Sequence, residues 1–353
     1  MCYTVYDTDS HLRRWKMYYD DYRGRSRRGR RGRRSRGGGS CLGWLLRALF
    51  KLLLFILILA ILAAVALYAL PVNLMNVEPS GTELSLTDGL PGNRVNILLL
   101  GLDVLNDGKQ RSDAIMVASV GYDGLKLTSL MRDVMVEIPG QGRHKLNSAH
   151  ALGGPELTMR VINETFDLNI TNYVAVDFRT LVDLVDALGG VDVEIEEKEL
   201  DSLNKCAYYT YRSIIQLDPE KYAHYASSQP ETRTGKLRLN GLFATGYTRI
   251  RYCDSDYVRT SRQRQVLAAM VARLRENCLN PLIYARLYRV LEQDVQTNLS
   301  LPEIISLGEK VLLSGKVETY RCPANEYLED SGSAIEITDP TGNVRALHKF
   351  IYN

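Results

Sequence analysis

"NILLLGLDVLNDGKQRSDAIMVASV" runs from Asn96 to Val120 and sets two apolar runs on either side of a polar loop. The runs, Val95–Gly101 and Ala114–Val120, are short and aliphatic, the pattern of strands buried on both faces. A loop between neighbouring strands brings its ends together. Asp103, at the end of the first run, and Asp113, at the start of the second, therefore face one another, with Arg111 just before the second. Two carboxylates so placed repel unless a cation sits between them. Hard oxygen ligands with no His or Cys nearby suit Mg²⁺, or Mn²⁺, rather than zinc. A lone aspartate at a strand end is usually a loop cap or turn residue; it is the pairing that points to a site.

Outward from this hairpin the periodicity alternates. "GLKLTSLM" (Gly124–Met131) comes after the turn "GYDG" and reads as a third strand beside the first two. In "GGPELTMRVINETFDLN", Leu157, Val161, Ile162 and Phe166 recur near helical spacing, and Pro155 suits a first turn. "NYVAVDF" reads as a strand, "RTLVDLVDALGG" as a helix ended by Gly189–Gly190, and "VDVEI" as a strand again. Strands alternating with helices argue an α/β layer with a mixed central sheet. Residues 201–235 are Tyr-rich, polar and weakly patterned, and read as a surface insertion or lid. A long helix is expected in "SDYVRTSRQRQVLAAMVARLREN", where Val266, Ala269, Met270 and Leu274 keep the i, i+3, i+4 pattern. Further helices are expected over Pro281–Gln293 and Leu301–Leu313, strands in "VETYRC" and "SAIEIT", and a helix at the end.

The chain has 353 residues; 45% hydrophobic and 24% charged residues fit a globular protein with a sizeable core. Its net charge of +3 conceals an asymmetry, because 14 of the 44 Lys/Arg but only 4 of the 41 Asp/Glu lie at or before Lys51, leaving the rest at −7. The basic part, "RGRSRRGRRGRRSRGGGS" (Arg23–Ser40), cannot bury apolar area and is expected to be disordered. Such a tract binds RNA in some proteins, but the segment after it argues for a membrane instead. Leu52–Leu70 is apolar throughout except for Tyr68, long enough to span a bilayer as a helix. The preceding Lys/Arg keep that flank cytoplasmic. A cleaved signal peptide would have a shorter apolar core with a small-residue site after it; the one A-x-A here (Ala64–Ala66) lies inside the run. The expected plan is a cytoplasmic basic tail (1–43), one transmembrane helix (44–71), a stalk (72–92) and an extracellular domain (93–353), with no nucleic-acid partner. Cys206, Cys253, Cys278 and Cys322 then fall where disulfides are allowed, and either bridges or free thiols fit the sequence.

Arginine is the second signal. Arg132 and Asp133 come just after the third strand, and Arg249 and Arg251 share a face if extended. Arg259, Arg262 and Gln263 share a helix face that runs on into the apolar stripe of Val266 and Met270. Buried guanidiniums need partners, because an unpaired buried charge costs several kcal/mol, on the order of the desolvation penalty itself. The plainer reading pairs them with local acids such as Asp254 and Asp256. The sharper one has them converge on an anion: planar forks bind phosphate oxygens bidentately, and with a carboxylate-held Mg²⁺ they make a pyrophosphate clamp suited to phosphoryl transfer. Asp133 is a candidate base by proximity in sequence alone, and Lys145, Asn147 and Arg160 have equally good roles in turn geometry or solvation.

The blocks "NILLLGLD…RSDAIMVASV", "SLMRDVMVEIPG…HKLNSAHALGG", "NYVAVDF…LVDALGGVDVEI", "LNGLFATGYTRIRY" and "DSDYVRTSRQRQVL", in this order, resemble the LytR-CpsA-Psr (LCP) family over about residues 94–275. There are departures: Leu102 stands where Ser or Thr is usual, Val258 replaces a common glycine, and residues 201–235 are unfamiliar. The resemblance implies an α/β/α sandwich with an apolar lipid-binding tunnel, and Mg²⁺ on Asp103 and Asp113. It implies a pyrophosphate held by Arg111, Arg132, Arg249, Arg251, Arg259, Arg262 and Gln263; Arg111, Arg132 and, by its place in sequence alone, Asp133 are the candidate catalytic residues. The implied activity moves a glycopolymer phosphate, such as teichoic acid, from an undecaprenyl-pyrophosphate carrier to peptidoglycan, at the C6 hydroxyl of N-acetylmuramic acid. The competing readings are a membrane-anchored polyprenyl-pyrophosphate hydrolase and a non-enzymatic regulator that binds lipid or wall polymer.

Overall fold

The structure, a computed structural model, describes residues 75–76, 83–104, 110–251 and 256–353. The basic tail, the transmembrane helix and part of the stalk (72–74 and 77–82) expected from the sequence lie outside the described residues. Among those described, no helix is long and apolar enough to cross a membrane.

A short strand β1 (Met75–Asn76) precedes the hairpin of β2 (Arg94–Val104) and β3 (Gln110–Gly121), which β4 (Gly124–Leu130) extends as an antiparallel meander. The hairpin of β5 (Met135–Ile138) and β6 (Gly142–Lys145) leads into α1 (Ser148–Phe166). Next are β7 (Asn172–Asp177), α2 (Phe178–Ala187), β8 (Val191–Ile195), α3 (Leu200–Leu217), the single turn α4 (Pro219–Tyr222) and β9 (Gly235–Leu239). Then come α5 (Gly241–Thr248), α6 (Asp256–Glu276), α7 (Pro281–Asp294), β10 (Gln296–Thr297) and α8 (Leu301–Leu313). The chain closes with β11 (Val317–Cys322), β12 (Leu328–Asp330), β13 (Ile335–Ile337) and α9 (Pro340–Tyr352). The central sheet has the order β1-β10-β7-β2-β3-β4-β11. It is mixed: β7 runs parallel to β2 and β11 parallel to β4, while β2, β3 and β4 alternate.

Alternation along β2 sends Leu98, Leu100 and Leu102 to one face, where they pack with Phe166 of α1 and Leu347 and Ile351 of α9. Ile97 and Leu99 face the other way, toward Leu267 of α6 and Leu307 of α8. The strands are therefore buried on both faces, as their unbroken apolar runs require. Local chemistry sets the helix ends. The Asp177 side chain accepts from the Thr180 N–H at 2.7 Å to start α2. Gly189 and Gly190, at φ +77 and +88, end it in a conformation that side-chain-bearing residues rarely adopt.

Three expectations change. β8 pairs with β9 in a separate two-stranded sheet and not with the central one. Residues 201–235, expected as a surface insertion, contain most of α3, which carries Leu203, Ala207, Tyr211 and Ile214 into a cluster with α2, α5 and β8. The stripe was hidden because tyrosines supply part of its apolar body. The helix expected from Pro155 begins earlier, at Ser148, and breaks at Gly153–Gly154 before continuing. The last part of the stalk is pinned: Asn163 Nδ2 donates to the Leu84 carbonyl at 2.9 Å, and the Thr87 N–H to Leu168 O at 3.0 Å. Among the described residues no disulfide joins Cys206, Cys278 or Cys322, and Cys253 lies outside them.

Candidate functional site

The two aspartates are brought together by an irregularity in the hairpin. Gly101 pairs with Ala114 and Leu102 with Ser112, so Asp113 is the extra residue of a β-bulge, and Asp103 lies opposite Arg111. Bulges re-aim a side chain out of the alternating pattern. Here Ser112 stays fully buried beside Leu102, while Asp113 reaches a partly exposed site. Gly101 makes the close approach feasible, since a Cβ there would lie 2.9 Å from Ala114 Cβ. The sequence pattern shows two apolar strands and a loop; it carries no mark of the bulge.

Three arginines from three elements meet at Asp113. Its Oδ2 forms an ion pair with Arg132 Nη1 at 3.0 Å and accepts from Arg251 Nη2 at 3.2 Å, and its backbone carbonyl accepts from Arg259 Nη2 at 3.4 Å. Arg132 lies just past β4, Arg251 just past α5 and Arg259 in α6, so the convergence is tertiary. Arg132 also donates to Asp133 Oδ2 at 3.2 Å, and Lys145 Nζ lies 2.8 Å from Asp133 Oδ1. Burial pushes the Asp133 carboxyl up, but the Lys145 hydrogen bond and the Arg132 and Lys145 charges outweigh it and hold it below the usual range. Arg249 Nη1 donates to Thr210 Oγ1 at 3.0 Å, and its guanidinium lies 4.3 Å from the centre of the Phe178 ring.

Two cavities share the aspartates. One, about 770 Å³, lies between the sheet and α2, α3 and α6. Leu99, Met116, Val174, Leu181, Leu267 and Met270 give it apolar walls, and Asp103, Asp113, Arg249, Arg251, Arg259 and Gln263 also line it. The other, about 370 Å³, is polar and is lined by Asp103, Arg111, Asp113, Arg132, Asp133 and Lys145, with Asn147 and Ser148. Among the described residues, only Asp103 and Asp113 line both.

Arg262 is set apart. Its Nε donates to Glu199 Oε1 at 2.8 Å, its Nη1 to the Ile250 carbonyl at 3.4 Å, and it lines neither cavity. This corrects the expectation that it shares the anion-binding face of Arg259: a three-residue step turns it by about 60° on the helix, toward a carboxylate far away in sequence. Arg160 pairs with Glu164 in its own helix at 2.9 Å.

Among the described residues no group of three or more His, Cys, Asp or Glu side chains is arranged to hold a metal. A two-carboxylate set is nonetheless what Mg²⁺ takes when phosphate oxygens and waters complete its shell. Asp103 and Asp113 line the same two cavities, and both ion pairs of Asp113, with Arg132 and Arg251, go through Oδ2. The donor set fits Mg²⁺ bound together with a phosphate ligand.

The profile of the LytR_cpsA_psr family matches residues 75–342, well over half of the chain. The chain belongs to this family. Among LytR_cpsA_psr relatives, regulatory protein MsrR of Staphylococcus aureus is 29% identical over 273 residues, covering 73% of this chain and 74% of MsrR. The polyisoprenyl-teichoic acid–peptidoglycan teichoic acid transferase TagU of Enterococcus faecalis is 30% identical over 273 residues, covering 74% of this chain and 76% of TagU. TagT bound to LIIa-WTA has the same fold, with a TM-score of 0.56 at 23% identity over 78% of this chain and 93% of TagT. TagT with bound octaprenyl pyrophosphate lipid gives 0.52 at 22% identity over 78% and 92%.

Proposed function

We propose that this LytR_cpsA_psr protein transfers a glycopolymer phosphate from an undecaprenyl-pyrophosphate carrier to peptidoglycan, at the C6 hydroxyl of N-acetylmuramic acid. One observation carries the reading: an apolar cavity of about 770 Å³ whose lining includes two aspartates together with Arg249, Arg251 and Arg259, the last two in contact with Asp113. Hydrocarbon and diphosphate are the two chemistries such a cavity separates. Each buried methylene of a prenyl tail contributes about 0.8 kcal/mol, and guanidiniums at the polar end meet the diphosphate. The name of TagU, a teichoic acid transferase, and the octaprenyl pyrophosphate held by TagT support the same donor class.

On this reading Arg111, Arg132, Arg249, Arg251 and Arg259, with Gln263, grip the diphosphate. Arg262 supports them indirectly, by holding the Ile250 carbonyl between Arg249 and Arg251. Asp103 and Asp113 would hold Mg²⁺, which would supply positive charge to offset the negative charge on the phosphate oxygens. The acceptor hydroxyl oxygen attacks the glycan-linked phosphorus, its proton passes to solvent water, and the phosphoanhydride bond to undecaprenyl phosphate breaks, releasing that lipid. Asp133, kept ionised by Arg132 and Lys145, orients Arg132 and is a weak base. Residues 52–70 anchor the domain at the outer face of the membrane, where a prenyl-linked donor resides.

The test supplies full-length protein in detergent with lipid-linked glycan, Mg²⁺ and oligomeric peptidoglycan. Phosphate-linked glycan on the peptidoglycan with release of undecaprenyl phosphate is expected. Lipid release without joined product would make the protein a hydrolase, and neither product would leave the binding regulator.

A further inference from the structure

We propose that the outward face of α3, formed by Tyr209, Arg212, Ser213 and Gln216, is the subsite for the saccharide that adjoins the donor diphosphate. The inference rests on the donor reading above and concerns the segment in which the chain departs from the family pattern. α3 has two faces: Leu203, Ala207, Tyr211 and Ile214 are buried in the core, whereas Tyr209, Arg212, Ser213 and Gln216 line the large cavity. Their spacing of three, four and seven residues puts them on one stripe of the helix.

The stripe does not suit a prenyl chain. Hydrocarbon leaves a phenol, a guanidinium, a hydroxyl and an amide unpaired, and desolvating them is unfavourable. The walls opposite, with Leu181, Leu184, Leu267 and Met270, are aliphatic and take that role. The α3 stripe instead stays wet: Tyr209 is 49% exposed, and Arg212, Ser213 and Gln216 are exposed too. Ser213 Oγ donates to the Tyr209 carbonyl at 3.0 Å, which leaves its oxygen able to accept. Among the described residues no carboxylate lies within ion-pair distance of Arg212.

Position decides which part of the donor the stripe meets. Thr210, next to Tyr209, accepts from Arg249 at 3.0 Å, and Arg249 lines the same cavity as Asp103 and Asp113. From Tyr209 to Gln216 the helix rises about 10 Å, the reach of a short saccharide extending from a diphosphate at Arg249. The residue types match: an aromatic face for the C–H side of a pyranose, and Arg, Gln and Ser for its hydroxyls.

Full-length protein in detergent micelles would be titrated with two probes, octaprenyl pyrophosphate and N-acetylglucosaminyl octaprenyl pyrophosphate. The wild type is expected to bind the glycosylated probe more tightly. Tyr209→Ala and Arg212→Ala are each expected to lower that preference by about tenfold, a loss of one to two hydrogen bonds or a stacked ring, and to leave affinity for the bare lipid within about twofold. Arg212→Lys, which keeps charge and loses the fork, should fall between. If both probes weaken together, α3 is a wall for the tail and the proposal is overturned; unchanged preference overturns it as well. Failure of the donor reading looks different: the wild type then binds neither probe, or Arg259→Ala binds the bare lipid at full affinity, and both proposals fall.

Discussion

Glu199 and Arg262 form a buried ion pair, 2.8 Å between Oε1 and Nε, with 4% and 1% of the two residues exposed. It joins the start of α3 to α6, and Arg262 adds a hydrogen bond to the Ile250 carbonyl between two cavity-lining arginines. The other Glu199 oxygen accepts from the Glu196 N–H at 3.0 Å. The pair thus ties the wall of the cavity to its guanidiniums.

Removing one partner leaves the other charge buried alone. Glu199→Gln should therefore destabilise the fold by about 3–5 kcal/mol, read as a shift of the chemical-denaturation midpoint. A Glu199→Leu/Arg262→Met double variant should be less destabilised than the two single variants added together. A single-variant loss below about 1 kcal/mol would show the pair to be no more than a surface bridge.

The paired aspartates are expected to act together. Asp103→Asn and Asp113→Asn should each lower turnover by about 10²–10³, the range seen when one preorganised electrostatic group is lost. Chelating divalent ions should reduce the wild type similarly and have little further effect on the variants. Turnover that is indifferent both to chelator and to Asp103→Asn would refute a carboxylate-held Mg²⁺.

The acid limb of stability should report Asp133. Its folded pKa lies below its unfolded value of about 3.9, because the Lys145 hydrogen bond and the neighbouring cations outweigh burial. A depressed carboxyl contributes stability that is present above the unfolded pKa and is lost as pH falls from there through the folded pKa. Wild type minus Asp133→Asn stability should accordingly be flat near neutrality and shrink below about pH 4. A difference that grows on acidification would contradict the sign.

Gly241 starts α5 against α2, where an added Cβ would lie 2.1 Å from the Val182 carbonyl oxygen. Because that neighbour is backbone, it cannot turn aside. Gly241→Ala should cost about 1–3 kcal/mol or more, measured by thermal or denaturant unfolding. Gly140→Ala, with open space around its Cβ but φ +74, should show only the backbone penalty.

The sequence alone determined the β2–β3–β4 meander, the strands at β7 and β8 and the helices α2 and α6 to α9, but not α3, the β5–β6 hairpin, β9 or α5. Continuous aliphatic runs, Gly-terminated amphipathic stretches and the stripe of α6 are local patterns, and they signal an element because burial on one or both faces demands them. It also determined which residue types were chemically unusual: two acids and several arginines beside apolar segments. Only the tertiary structure decided their grouping. The bulge that frees Asp113 depends on pairing between two strands, and Arg262 turns to Glu199 because a carboxylate from another element arrives there. α3 shows the same limit in reverse. Its stripe of tyrosines reads as polar surface until α2 and α5 cover one side and the cavity takes the other, since an amphipathic side chain has no fixed preference until its neighbours are in place.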